Sequence, residues 1–128
     1  MPITAYYTSV FVLLYVTLSF NVIRLRRDHK VSLGDGGQVA LQRAIRAHGN
    51  FLEYMLPAVL LLYFFETGIG TNYWFHSMAI LFLIGRGIHV VAILSGTSKM
   101  PLRVIGMALT FTMLISLSVR ILLAPLQL

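Results

Sequence analysis

The sequence predicts an all-α membrane protein folded as a bundle of four transmembrane helices. Of its 128 residues, 58% are hydrophobic and 11% are charged, and the mean hydropathy is +0.83. This balance lies far outside that of a soluble domain. Four segments are long or apolar enough for a hydrocarbon core that needs about 20 helical residues. We therefore expect a single transmembrane domain over residues 1–128, with helices at about 3–27, 38–66, 73–95 and 103–124.

The basic residues predict the orientation of this bundle. The net charge is +6, and six of the ten Lys and Arg residues lie between residues 24 and 46. Lys99 and Arg103 lie between the last two spans, whereas the loop between the second and third spans contains Glu66 and no Lys or Arg. The positive-inside rule places both basic loops in the cytoplasm and both termini outside. We interpret the positive charge mainly as the determinant of membrane orientation and expect no nucleic-acid partner. So dense a cluster of basic residues can also bind an anion.

The first predicted helix, residues 3–27, has an apolar body and a cationic inner end. Its Ser, Thr and Tyr residues are typical of interfacial anchoring and of hydrogen bonds to a neighbouring helix. Arg24, Arg26 and Arg27 project over successive turns, where they either extend to lipid phosphates or reach a bound anion. Lipid contact is the favoured interpretation for Arg24, and both interpretations stay open for Arg26 and Arg27. The glycines at 34, 36 and 37 indicate a turn after this helix.

The second predicted helix, residues 38–66, carries polar groups on one face. At about 100° per residue, five residues share that side: Arg46, Asn50, Glu53, Tyr54 and Pro57. Arg43 joins them one turn earlier. An unpaired carboxylate or guanidinium at bilayer depth costs on the order of 3 kcal/mol. We therefore expect these polar side chains to have a protein partner, a ligand or a catalytic role. Pro57 also removes the hydrogen bond to the Glu53 carbonyl, which can bend the helix beside the acid.

The third predicted helix, residues 73–95, presents Arg86 and His89 on one face. Gly85 and Gly87 flank Arg86, and we expect them to let another helix approach closely. A lone His in such a place is more often structural than catalytic. The four histidines show no paired ligand spacing, so we expect no metal site. Cysteine is absent, and any sulfur chemistry must arrive with a substrate.

One motif links these helices to a known family. The pattern Arg46-x-x-x-Asn50-x-x-Glu53-Tyr54-x-x-Pro57 follows an Arg26-Arg27 pair and a turn, and Arg86-x-x-His89 follows it in the third span. This arrangement resembles the MAPEG family, the membrane-associated proteins in eicosanoid and glutathione metabolism, and looks most like its small bacterial branch. The resemblance covers nearly the whole chain. It implies a homotrimer in the bacterial inner membrane, with glutathione bound at each subunit interface toward the cytoplasmic side.

The resemblance also implies roles for individual residues. Arg46, Asn50, Glu53 and Tyr54 match the residues that hold the glutathione peptide in the family. The other implied binding residues are Arg26, Arg86 and His89, where His89 stands at the position of a binding tyrosine or histidine. Arg27 looks like an arginine that assists at the sulfur from a neighbouring subunit. Two departures matter: Ile93 replaces a second tyrosine, and the nearest candidate for the arginine that stabilises the thiolate is Arg103.

The residues themselves suit this chemistry. Arginines would bind the two carboxylates of glutathione, Glu53 its ammonium, and Asn50 and Tyr54 its amide groups. A thiol beside arginines ionises more readily, and the thiolate is the nucleophile. The expected partners are glutathione, membrane lipids and a lipophilic second substrate that enters from the lipid. The expected reaction is conjugation of glutathione to a lipophilic electrophile, or reduction of a lipid hydroperoxide.

Two other classes of function stay open. A small drug transporter also has four short helices, but proton-coupled export of cations usually needs a membrane acid in the first helix, and residues 3–27 contain none. A non-catalytic membrane module that binds glutathione or an anionic lipid is harder to exclude. The missing tyrosine and the unassigned thiolate arginine would be expected of such a protein.

Overall fold

The computed structural model describes residues 1–96 and 100–124, and these residues form four helices. The helices are α1 (Ile3–His29), α2 (Val39–Gly68), α3 (Tyr73–Ser95) and α4 (Met100–Leu123). Each is long and apolar enough to cross a membrane. The chain is thus an all-helical integral membrane protein. The largest difference from the expected bounds is at α4, which begins at Met100 and not at residue 103.

The ends of the helices follow from local backbone chemistry. Helix α1 ends where Lys30 adopts a left-handed conformation, and its N–H donates to the carbonyls of Arg26 and Arg27. At the other end of α1, Pro2 provides no side-chain cap. The carboxylate of Glu66 on α2 accepts hydrogen bonds from Ile3 N–H at 2.6 Å and Thr4 N–H at 2.7 Å. The Glu66 carboxylate thereby pairs with backbone N–H groups that have no partner within the first turn of α1, and it joins this end of α1 to the end of α2.

The bundle is organised around α2, which packs against the other three helices, while α3 and α4 form the most extensive pair. Helix α2 continues through Pro57 as one element. The apolar core is rich in aromatic rings: the ring centroids of Phe11 and Phe82 are 5.0 Å apart, and those of Phe65 and Phe75 are 6.1 Å apart. These contacts hold α1, α2 and α3 together near one end of the bundle.

Two glycines set the distance between α3 and α4. A Cβ added to Gly106 would lie 2.7 Å from the carbonyl oxygen of Gly85 and 2.8 Å from the backbone nitrogen of His89. Such distances leave no room for a side chain. The expectation that Gly85 allows a close approach is confirmed. For Gly87 it is wrong, because no atom lies within 4 Å of a Cβ added there.

Candidate functional site

The polar face of α2 is the first component of the site. Arg46 Nη1 lies 3.7 Å from Glu53 Oε1, and Asn50 Nδ2 donates to Glu53 Oε2 at 3.5 Å. The side chains of Arg46 and Glu53 are 63% and 55% exposed, whereas Asn50 is buried. Helical spacing therefore places the Arg46 guanidinium and the Glu53 carboxylate on the outer surface, and it places the Asn50 amide inside the bundle. A loose, exposed ion pair of this kind contributes little stability.

Arg86 of α3 is the second component, and it lies fully buried behind that face. Its Nη2 donates to Asn50 Oδ1, and its Nη1 donates to Thr110 Oγ1 at 3.4 Å. The guanidinium carbon lies 5.0 Å from the centre of the Tyr54 ring, within reach of a cation–π contact. The Nε of Arg86 has no partner among the described residues. Arg86 therefore fixes Asn50 and Tyr54 of α2 against Thr110 of α4.

His89 of α3 is the third component, about one turn beyond Arg86. It is 5% exposed, and its Nδ1 lies 3.1 Å from the backbone carbonyl oxygen of Arg103. A carbonyl can only accept, so Nδ1 carries the hydrogen, and Nε2 of the neutral ring is an acceptor. The close packing at Gly106 brings α4 to this point. His89 thereby connects α3 to the first turn of α4.

Two clefts meet at Arg103. The first, with a volume of about 370 Å³, lies along α4 and is lined by Arg103, His89, Met100, Val104, Met107, Ala108 and Phe111. We call it the apolar cleft. The second, of about 260 Å³, is lined by Arg103, Gln42, Arg43, Arg46, Ala92, Ile93 and Gly96. We call it the cationic cleft, since three guanidinium groups line it. Ligand sites commonly measure about 300–1,000 Å³, so the two together suit a small-molecule site.

The structure brings most of the predicted site residues to adjoining faces of α2, α3 and α4. These residues are Arg46, Asn50, Glu53, Tyr54, Arg86, His89 and Arg103. Arg26 and Arg27 lie elsewhere, at the end of α1. Arg26 donates to the carbonyl oxygens of Gly34 at 2.8 Å and Val31 at 3.5 Å, and it thereby ties down the connection to α2. Arg27 is exposed, and within residues 1–96 and 100–124 neither arginine lines either cleft.

The structure adds residues that the sequence-based site did not include. Arg43 lines the cationic cleft, where its guanidinium lies against Gly96, 3.1 Å from a Cβ added to that glycine. The sequence places Arg43 on the polar face of α2, three residues before Arg46, but no role in the site was predicted for it. Thr110 and Met107 of α4 contact Arg86. Their helix is apolar apart from scattered threonines, serines and two arginines, so no sequence pattern predicts this role.

Comparison with known proteins identifies the family. The sequence matches the MAPEG family over residues 4–123. Two curated relatives share one name, Inner membrane protein YecN, and come from Escherichia coli strain K12 and from Escherichia coli O6:H1 strain CFT073. Each is 40% identical over 87 residues, which cover 68% of this chain and 66% of the relative, slightly less than two thirds of the relative's length. By the match over nearly its whole length, this chain belongs to the MAPEG family.

Proposed function

We propose that this protein is a glutathione-dependent transferase or peroxidase that acts on lipophilic electrophiles or lipid hydroperoxides. The observation that carries this proposal is the position of Arg103, which lines both the cationic and the apolar cleft. A charged co-substrate and a lipophilic substrate can therefore meet at one guanidinium. Family membership and the name of the Escherichia coli relatives support a location in the bacterial inner membrane. The positive-inside rule supports a cytoplasmic position of the basic loops.

Glutathione matches the charges around the cationic cleft. Arg43 and Arg46 would bind its carboxylates, and Glu53 would bind its ammonium group. Each of these contacts joins opposite charges and is stronger than a neutral hydrogen bond. Tyr54 and Asn50 would bind the amide groups. Arg86 acts through Asn50 in this proposal, as a buried positioning residue that does not touch the ligand.

The reaction uses the sulfur of glutathione as its nucleophile. A guanidinium beside the thiol favours the thiolate, which is the reactive form. Attack on an electrophilic carbon forms a carbon–sulfur bond and expels the leaving group. Attack on a hydroperoxide breaks the oxygen–oxygen bond, releases the lipid alcohol and leaves a glutathione sulfenic acid. A second glutathione then reduces that acid to give glutathione disulfide and water.

A homotrimer would complete the site. In a single subunit, Arg46 and Glu53 are more than half exposed on a membrane-spanning helix. At bilayer depth, exposure of such a charge to lipid costs on the order of 3 kcal/mol, and a neighbouring subunit with a bound ligand would reduce that exposure. Arg27 lies outside the clefts of its own subunit. In the proposed trimer, Arg27 reaches the glutathione bound by the adjacent subunit.

Calorimetric titration of the detergent-solubilised protein with glutathione tests the binding site. We expect saturable binding that weakens at least tenfold in Arg46→Ala and in Glu53→Ala. The matched control is Arg120→Ala, which removes an exposed arginine near the end of α4 and should bind as the wild type does. S-methylglutathione should also bind, because the proposed contacts do not require the thiol proton. No binding of glutathione by the wild type, or wild-type affinity in Arg46→Ala and Glu53→Ala, contradicts the site.

A non-catalytic glutathione-binding module is the second candidate function. The observation that favours it is Ile93, a buried apolar side chain that lines the cationic cleft where the family resemblance implies a tyrosine. A site without that phenol offers one hydrogen-bond donor fewer to the sulfur. The two candidates differ in the state of the bound thiol, since binding alone leaves it protonated.

A further inference from the structure

A groove between α1 and α3 plays no part in the proposed reaction. These helices meet through aromatic rings, with the Phe11 and Phe82 centroids 5.0 Å apart. Beyond this contact lies a cavity of about 320 Å³ whose lining includes Leu14, Leu18, Leu83, Gly87 and Val90. Gly87 contributes to the opening, because a Cβ there would have no atom within 4 Å. The wall of this cavity is almost entirely apolar.

A second cavity continues the same groove toward the end of the bundle. It measures about 550 Å³, and its lining includes Asn21, Arg24, Leu25, Arg43 and Leu94. Residues three or four apart lie on one helix face, so residues 14, 18, 21 and 25 form one stripe of α1. Residues 83, 87, 90 and 94 form the matching stripe of α3. The apolar cavity and the cationic cavity are therefore consecutive sections of one groove.

The order of these sections matches the structure of a phospholipid. Leu and Val side chains offer a surface for an acyl chain. Arg24 and Arg43 stand at the mouth, where a phosphodiester would lie. Arg24 already donates to Asn21 Oδ1 at 3.0 Å, which holds its guanidinium at this level of α1. Arginine binds phosphate oxygens in pairs, and basic pockets between membrane helices are known sites for anionic headgroups.

We propose that this groove binds an anionic phospholipid. One acyl chain lies beside Gly87 between α1 and α3, and the phosphate lies between Arg24 and Arg43. A headgroup with net negative charge is favoured over a zwitterionic one, since the two guanidinium groups attract the phosphate and repel a choline ammonium. The lipid site shares Arg43 with the cationic cleft. Arg24 and Gly87 line neither of the clefts that meet at Arg103, so variants at these two residues test the lipid proposal separately from the glutathione reaction.

Native mass spectrometry of the full-length protein tests the lipid site. The purified protein is titrated with phosphatidylglycerol and with phosphatidylcholine of identical acyl chains. We expect at least fivefold higher occupancy by phosphatidylglycerol. Arg24→Gln should abolish that preference, while Arg120→Gln, which removes an exposed arginine from α4, should leave it unchanged. Equal occupancy by the two lipids in the wild type, or no retained lipid, overturns the proposal.

Filling the groove tests the position of the acyl chain. Gly87→Leu and Val90→Phe both place extra carbon atoms in the apolar section and should each reduce phosphatidylglycerol occupancy at least fivefold. Gly87→Ala adds one methyl group to open space and serves as the folding control, with occupancy close to that of the wild type. Wild-type occupancy in a folded groove-filling variant overturns the proposal. Displacement of the lipid by equimolar glycerol phosphate does so too, because it indicates a site for a soluble anion.

Discussion

Arg86 of α3 donates a hydrogen bond to Oδ1 of Asn50 on α2, and both side chains are buried between the helices. The same guanidinium lies against the Tyr54 ring and reaches Thr110 on α4. A buried cation is costly in a membrane unless its donors find acceptors. Arg86 therefore stabilises the packing of the helices and also orients Asn50 and Tyr54, two of the residues that we assign to ligand binding.

Removing the Asn50 acceptor should destabilise the bundle. Asn50→Leu keeps the branched shape and the number of side-chain heavy atoms but leaves an Arg86 donor unpaired, at a cost of about 2–3 kcal/mol for a buried hydrogen bond to a charged group. We expect a lower midpoint of thermal unfolding in detergent. Asn50→Asp retains an acceptor oxygen and should lose much less. Equal midpoints for Asn50→Leu and the wild type would show that Arg86 does not depend on this contact.

The crossing of α3 and α4 should tolerate no side chain at position 106. Gly106→Ala places a Cβ against the Gly85 carbonyl and the His89 backbone, so the helices must separate. We expect reduced thermal stability and weaker glutathione binding by calorimetry. Gly87→Ala is the matched control, because the same change in open space should stabilise the helix by about 0.5–1 kcal/mol. A Gly106→Ala protein as stable as Gly87→Ala would contradict the packing.

The carboxylate of Glu66 should protect the start of α1. Glu66→Ala removes the acceptor for two backbone donors, Ile3 N–H and Thr4 N–H. Loss of a helix cap costs about 1 kcal/mol. Hydrogen exchange at these two amides should accelerate, and Glu66→Gln, which keeps one oxygen, should show a smaller effect. The control is Thr67→Ala, whose hydroxyl bonds only within α2. Unchanged exchange in Glu66→Ala would exclude a capping role.

Mixed subunits should test whether Arg27 acts across an interface. Arg27→Ala and Arg46→Ala should each abolish conjugation of glutathione to a lipophilic electrophile such as chlorodinitrobenzene. When the two variants are coexpressed, random assembly should restore about a quarter of the sites, because a cyclic interface takes Arg27 and Arg46 from different subunits. No recovery from mixed, folded oligomers would place both arginines in one subunit. Wild-type activity of Arg27→Ala by itself would exclude Arg27 from the reaction.

The four helices could be predicted from the sequence because apolar segments of the required length are rare outside membranes. It was also sufficient for the polar face of α2, since helical period alone relates Arg46, Asn50 and Glu53. The helical period also argues against the expectation that Gly85 and Gly87 both let another helix approach closely. Gly85 and Gly87 lie about 200° apart around α3, so they cannot both face α4.

The contacts between helices were harder to predict. Thr110 reaches Arg86 from 24 positions further along the chain, and nothing local in α4 marks it. The pairing depends on how α4 is rotated, which the Gly85 and Gly106 packing decides. Arg103 was placed near the sulfur by family resemblance, but its position on both clefts required the structure. Helical periodicity shows which residues share a face of one helix, but it does not show which faces of two helices pack together.

Ultraviolet difference absorption on adding glutathione to the detergent-solubilised protein tests the central claim, that Arg103 holds bound glutathione as its thiolate. We expect a thiolate band at neutral pH that saturates with the calorimetric binding curve. Arg103→Ala should lose the band while binding persists, and Arg103→Lys should restore part of it. A wild-type protein that binds glutathione without a thiolate band, or an undiminished band in Arg103→Ala, would contradict the account.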